Sequence, residues 1–208
     1  MVRIMEMNSS GSYTSILLDN GDKYWLRNED LPGTGIFENA EMSSESFFHW
    51  VRVRQYPRAL NQAVAMLARR PCSTGEISCR LSRNRYTSEV IELVIYKLQK
   101  EHLLDDVDFC RQWIQYRLNH GYGPGVIRRE LRFKGIAQDL IDTALGSLDE
   151  EEGMEKAESL ARKAWMHRKP DEDLRKCRQK VIGLLVRKGY SWDIARAACT
   201  SAESKLKK

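Results

Sequence analysis

From residue 57 onward apolar side chains recur at helical spacing, and the spacing itself recurs. Val90, Ile91, Val94, Ile95 and Leu98 stand at i, i+1, i+4, i+5 and i+8, one face of a 3.6-residue helix. Fifty positions on, Leu140, Ile141, Ala144, Leu145 and Leu148 repeat the stripe, and fifty-four further Ile194, Ala195, Ala198, Cys199 and Ala202 repeat it with smaller side chains. The preceding helix follows the same offsets: Ile77 and Leu81, then Ile127 and Leu131, then Val181 and Leu185. A first helix leads each unit, carried by Leu60, Ala63, Val64, Leu67 and Ala68, by Phe109, Cys110, Trp113 and Ile114, and by Ala157, Leu160, Ala161, Ala164 and Trp165. The pattern predicts a mostly α-helical chain of three tandem three-helix repeats over 57–103, 104–150 and 151–208. Leu103-Leu104-Asp105-Asp106 and the acidic run Asp149-Glu150-Glu151-Glu152 are the expected linkers. Three short helices cannot bury both faces alone, so stacked units are expected to share cores in an elongated, curved array with a long surface and no deep pocket.

Capping residues punctuate this pattern. Ser73-Thr74-Gly75-Glu76 reads as a capping box, and Thr87 and Ser191 as N-caps of the third helices. Pro124 suits the first turn of a helix. Gly135 and Gly189 stand where a helix ends in the left-handed conformation, which glycine adopts without a steric penalty. Arg85 occupies the equivalent place in the first repeat, at a cost of about 1 kcal/mol if its φ is positive.

Residues 1–56 read differently. Tyr13–Leu18 and Lys23–Leu26 flank Asp19-Asn20-Gly21-Asp22, and Asn-Gly tolerates the positive φ angles of a tight hairpin. This segment is expected to be a small N-terminal β-hairpin extension. Pro32-Gly33-Thr34-Gly35 breaks the chain, and Phe47–Val51 is expected to form a brief strand or helical turn.

Composition narrows the function. With 42% hydrophobic residues the chain can bury a core, yet no apolar run approaches a membrane span. Glu6 interrupts the only apolar patch at the start, so no secretory signal is expected and the chain is placed in the cytoplasm. Five cysteines, odd in number and without a Cys-x-x-Cys pair, read as small core residues in a reducing compartment. The four histidines lie at no metal-ligand spacing, so neither metal nor cofactor is expected. No nucleophile constellation or phosphate loop accompanies the Asp105-Asp106 pair, which reads as a helix cap, and no catalysis is expected.

Charge is uneven along the chain. Residues 1–56 hold 5 Lys/Arg against 8 Asp/Glu, whereas 57–208 hold 29 against 21, so a head of about −3 precedes a body of about +8. A basic body suits phosphates or an acidic protein surface. Three clusters are the candidate binding surface: Arg69, Arg70, Arg80 and Arg83 with Arg85; Arg128, Arg129, Arg132 and Lys134; and Arg175, Lys176, Arg187 and Lys188 with Arg178 and Lys180. Arg117 falls on the inward side of its helix and is expected to pair with Asp105 or Asp106. Trp113, Trp165 and Trp192 are expected in the core.

Several motifs resemble those of the RecX family. Leu104-Asp105-Asp106-Val107-Asp108-Phe109-Cys110 is similar to its Leu-Asp-Asp-x-x-Phe-Ala. Gly121 to Ile136 resembles its Gly-x-x-Gly-x-x-x-Ile-x-x-Glu-Leu-x-x-Lys-Gly-Ile, and Leu185 to Ser191 its Arg-Lys-Gly-Phe/Tyr-Ser signature. The match spans roughly residues 58 to 200, and the hairpin head is similar to an extension of some longer members. His102 and Arg85 depart from it, each standing where the family has a glycine. The resemblance implies a monomeric, non-enzymatic regulator of recombination, DNA repair and the SOS response. Its implied partners are RecA protein and the RecA–DNA filament, held in the filament groove, with restraint of ATPase, strand exchange and filament extension. Weak direct DNA binding is a further expectation, and two helices joined by a tight turn also fit a DNA-binding module resembling a helix-turn-helix.

Overall fold

Apolar residues facing one side of residues 2–27 build the first element of structure. In the computed structural model, which describes residues 1–148, 150–168 and 173–206, these form strands β1 (Val2–Ser10), β2 (Tyr13–Leu18) and β3 (Lys23–Arg27). With β4 (Glu41–Met42) they make an antiparallel sheet in the order β3-β2-β1-β4. The expected hairpin is the β2–β3 pair, with Gly21 at φ +86° and Leu18 donating to the Asp22 carbonyl. The sheet is larger than the sequence reading anticipated, because β1 and β4 join it. A register irregularity between Ile4 and Glu6 breaks the alternation of β1, which is why its pattern is faint.

The head continues into a helix. Instead of a brief strand or turn, Phe47–Val51 lies in α1 (Ser44–Leu67), a 24-residue helix that runs through Pro57 and is capped by Ser43 accepting from the Ser46 amide. Phe47, Val51, Gln55, Ala59 and Ala63 are its buried residues, one every fourth position. Phe47 and Val51 close the sheet's core over Ile4, Ile16, Leu18 and Leu26. Ala59 and Ala63 face the first repeat, with α2 (Thr74–Arg83) and α3 (Ser88–Lys100). This longer stripe corrects the expected one: Val64 and Ala68 are exposed, because the sheet, not the repeat alone, sets which face of α1 turns inward.

Gln55 ties sheet to repeat. Buried, it donates to the Trp25 carbonyl at 2.8 Å and accepts from the Thr87 amide at 3.0 Å. Arg58 pairs with Glu29 and Asp30 beside it. Arg85 adopts φ +66°, and its guanidinium lies 4.0 Å from the Trp25 ring centroid and 5.2 Å from that of Tyr13. A glycine there would avoid the strain but could not cover the head's aromatic rings. His102 adopts φ +55° at the other departure.

These elements constitute one unit, Met1–Asp105; a second begins at Asp106. It contains α4 (Asp106–Asn119), α5 (Pro124–Phe133) and α6 (Gln138–Gly146), then α7 (Glu150–Met166), α8 (Leu174–Arg187) and α9 (Trp192–Leu206). Of the expected acidic linker, Asp149 lies outside the described residues, and Glu150 already opens α7. The recurring stripes are the cores. Ile127, Leu131, Ile141 and Leu145 pack with Phe109, Cys110 and Ile114, while Val181, Leu185, Ala195, Ala198, Cys199 and Ala202 pack with Ala157, Ala161 and Trp165. The capping box at Ser73, the Thr87 and Ser191 caps and the positive φ of Gly135 and Gly189 stand as the sequence predicts. Trp165 is buried and Trp113 half-buried, but Trp192, the first residue of α9, is 56% exposed, with the Arg196 guanidinium one turn on lying 5.3 Å from its ring.

The second and third repeats meet through backbone. Gly123 and Gly125 open α5, where helix geometry leaves amides without internal acceptors, and no side chain caps it. Instead Gly123 donates to the Lys188 carbonyl at 2.7 Å and Gly125 to the Gly189 carbonyl at 2.9 Å, so the end of α8 caps the start of α5. A Cβ on Gly123 would lie 2.7 Å from the Gly189 carbonyl carbon, and one on Gly189 2.4 Å from the Val126 nitrogen. Only glycine permits this approach.

Candidate functional site

The basic clusters divide, on inspection of their partners, into structural and free cations. In the first repeat Arg70 makes a two-pronged pair with Glu76, both bonds at 3.1 Å, reinforcing the capping box. Arg69, Arg80 and Arg83 are exposed and have no side-chain partner among the described residues. In the third repeat Arg178 makes a two-pronged pair with Glu203, at 2.6 and 2.8 Å. Arg175, Lys176 and Arg187 remain exposed without a side-chain partner there. Lys176 and Arg187, with His167, Arg168 and Lys180, line a pocket of about 780 Å³ between α7 and α8, Asp173 being its acid. The first unit differs in sign: a groove of about 820 Å³ between α1 and α3 is lined by Glu45, Glu89, Glu92, Phe48, Trp50 and Tyr96, among others.

The second repeat joins cations to aromatic rings most densely. Arg117 pairs with Glu130 and not with Asp105 or Asp106, because Glu130 of α5 turns toward α4 and presents both oxygens there. Its second oxygen accepts from the Trp113 indole at 3.1 Å. The Arg117 guanidinium stacks on Tyr122 at 3.7 Å, and Lys188 lies 3.9 Å from the same ring. Lys134 sits 4.0 Å from Trp113 and 5.4 Å from Phe109. Ring faces are electron-rich, so each contact holds a cation in place without neutralising it. Three cations therefore lie against three rings, and Glu130 is the acid that Arg117 and the Trp113 indole share.

The outer face of α5 is looser. Arg128 reaches Asp142 at 3.2 Å, and Arg132 directs its Nε to Gln138 at 2.6 Å. The Asp142 carboxyl is held below its ordinary pKa, first by a hydrogen bond from Gln138 and then by Arg128. Arg129 is exposed with no side-chain partner among the described residues. Of the four predicted cations here, Arg129 is free, Arg132 half-engaged, Arg128 paired, and Lys134 stacked on rings. The sequence reading missed Glu130 as the organiser, although Trp113, Arg117 and Glu130 are all legible as inward or half-inward positions. It also passed over Phe133, which is 93% exposed. Repeat register could have found it: Phe133 aligns with Arg83 and Arg187, both exposed.

No group of three or more His, Cys, Asp or Glu side chains could hold a metal among the described residues, and no helix described is long and apolar enough to cross a membrane.

Three family models match the chain in order: the first three-helix domain of RecX over 59–98, the second over 105–145 and the third over 150–199. Regulatory protein RecX of Mycolicibacterium smegmatis is 32% identical over 143 residues, 66% of this chain and 76% of its own length. That of Leuconostoc mesenteroides is 26% identical over 196 residues, 94% of this chain and 73% of its own, a match that extends into the N-terminal sheet. A crystal structure of regulatory protein RecX superposes with a TM-score of 0.62 at 25% identity, covering 93% of this chain and 97% of that one. RecX from Lactobacillus salivarius, at 24% identity and a TM-score of 0.63 over 72% of this chain and 97% of its own, shares the fold.

Proposed function

The chain belongs to the RecX family of regulatory proteins, and from that premise we propose that it binds RecA and the RecA–DNA filament in the filament groove. There it restrains ATP hydrolysis, strand exchange and filament extension, acting in the cytoplasm as a monomer and without catalysis of its own. The observation that carries this reading is the free cations on all three repeats: Arg69, Arg80 and Arg83, then Arg129, then Arg175, Lys176 and Arg187. A filament offers phosphates and acidic side chains in a row, and each repeat has free cations of its own with which to meet them.

The test is a titration of the protein into RecA hydrolysing ATP on single-stranded DNA. Suppression is expected at fewer than one molecule per protomer, since a bound regulator that blocks extension acts on the whole growing filament. Changing Arg128, Arg129 and Arg132 to alanine together is expected to shift the titration to higher protein, with Arg129 and Arg132 responsible for most of the shift because Asp142 already holds Arg128. No suppression at equimolar protein refutes the reading. Steeply salt-dependent duplex binding with no effect on RecA would assign the chain instead to direct DNA binding.

A further inference from the structure

We propose that Phe133 is a stacking platform for a base of single-stranded nucleic acid, with Arg129 as the phosphate contact beside it. The inference deepens the function proposed above and rests on that reading only for the filament as the setting.

Phe133 is the last residue of α5 and 93% exposed, more than any other large hydrophobic side chain described. Burying such a ring is worth about 1.5–3 kcal/mol, so its exposure is a standing cost to the free protein. The equivalent positions of the other repeats, Arg83 and Arg187, are filled by cations. The ring therefore stands where the repeats otherwise present charge to a partner.

Its surroundings select the ligand. At 3.6 residues per turn, Arg129 is one turn back on the same face, exposed and without a side-chain partner among the described residues. Arg132 is adjacent and spends only its Nε on Gln138. Glu130, the one acid of α5, is drawn away to Arg117 and Trp113. An aromatic anchor for a protein partner sits within an apolar patch; Phe133 instead has the exposed Arg129 one turn back and the exposed Arg132 next to it on the same helix. An aromatic face flanked by cations is what a base and its neighbouring phosphates require. Within a duplex the base faces are stacked on one another, so the ligand is a single strand.

The probe is a short fluorescein-labelled oligothymidylate carrying one 5-iodouracil, with the full-length protein at about 50 mM salt, where phosphate contacts are strong. Ultraviolet cross-linking followed by cleavage at acidic residues is expected to place the adduct on Phe133. Phe133→Ala is expected to weaken binding by about fivefold to a hundredfold, the range for loss of a stacking aromatic. Phe133→Trp should bind as the natural protein does, and Phe133→Leu should behave like the alanine variant. Arg129→Ala should reduce the slope of log affinity against log salt by about 0.7, whereas Phe133→Ala leaves the slope unchanged. Unaltered circular dichroism melting confirms that the exposed substitutions leave the fold intact. Absence of oligonucleotide binding, an adduct elsewhere, or undiminished binding by Phe133→Ala overturns the proposal. So does a Phe133→Ala variant that keeps its oligonucleotide but loses DNA-free RecA. Stacking at Phe133 together with no suppression of RecA would leave this inference standing while refuting the proposed function.

Discussion

Replacing Gly123 with alanine tests the backbone junction between the second and third repeats. Gly123 has φ −88° and ψ 170°, a conformation any residue adopts, so alanine there carries no backbone strain. By reducing the freedom of the unfolded chain it would by itself stabilise by about 0.4–1 kcal/mol. The new Cβ, however, would lie 2.7 Å from the Gly189 carbonyl carbon and the Tyr190 nitrogen, and 2.8 Å from the Gly189 oxygen, all backbone atoms. The end of α8 must retreat, and with it the acceptors for the Gly123 and Gly125 amides. Two hydrogen bonds at about 1 kcal/mol each, plus the desolvation of helix-start donors left without partners, predict a loss of about 2–4 kcal/mol. Urea unfolding of the full chain, followed by circular dichroism, gives the change, and amide exchange at Gly125 reports the junction directly. Two controls separate crowding from glycine content. Gly121→Ala meets only Leu160, at 3.7 Å, and is expected to cost about 1 kcal/mol from its φ of +74°. Gly153→Ala, in α7 with nothing within 4 Å, is expected to stabilise by about 1 kcal/mol. A Gly123→Ala protein as stable as the natural one would refute the reasoning.

Other outcomes follow from the same contacts. Glu130→Ala strips the partner from Arg117 and Trp113 and is expected to cost about 2–3 kcal/mol in urea unfolding, since the guanidinium is left half-buried and unpaired. Arg85→Gly should change stability by under about 0.5 kcal/mol, because relief of strain offsets the lost ring contact; in a Trp25→Ala background it should stabilise by about 1 kcal/mol, a coupling that a double-mutant cycle measures. The Glu158 carboxyl is held below its ordinary pKa by hydrogen bonds from Lys205 and Ser201. Its contribution is therefore present above the usual glutamate pKa of about 4.3 and lost as pH falls below it, so Glu158→Gln should flatten the acid limb of the stability profile. Native alkylation with iodoacetamide should label Cys79 alone by mass spectrometry, because Cys72, Cys110, Cys177 and Cys199 are buried and burial raises the Cys110 and Cys199 thiol pKa values.

The helical repeats were legible because their information is periodic and local. Ile77 and Leu81, Ile127 and Leu131, and Val181 and Leu185 must each face inward on any helix with that spacing, and all six are buried. Caps at Ser73, Thr87 and Ser191 are equally local, each depending on an amide three residues ahead. The head was less legible. A register irregularity masks the alternation of β1, and only the second half of α1 carries a stripe legible in sequence, because Phe47 and Val51 bury themselves against a sheet that lies far back along the chain.

The sequence by itself determined which residues face inward along the repeats, where most helices begin and end, and that positive charge concentrates after residue 57. Only tertiary structure decided which of those charges are occupied. Arg70, Arg117, Arg128 and Arg178 look alike in a list of basic residues to Arg69, Arg129 and Arg187, but carboxylates from 6 to 25 positions away claim the first four. Tertiary structure likewise decided that glycines 123, 125 and 189 exist for one another. The physical reason is common to both: hydrophobic period and capping act between neighbours on one helix, whereas ion pairing and backbone contact depend on atoms that only folding brings within a few ångströms.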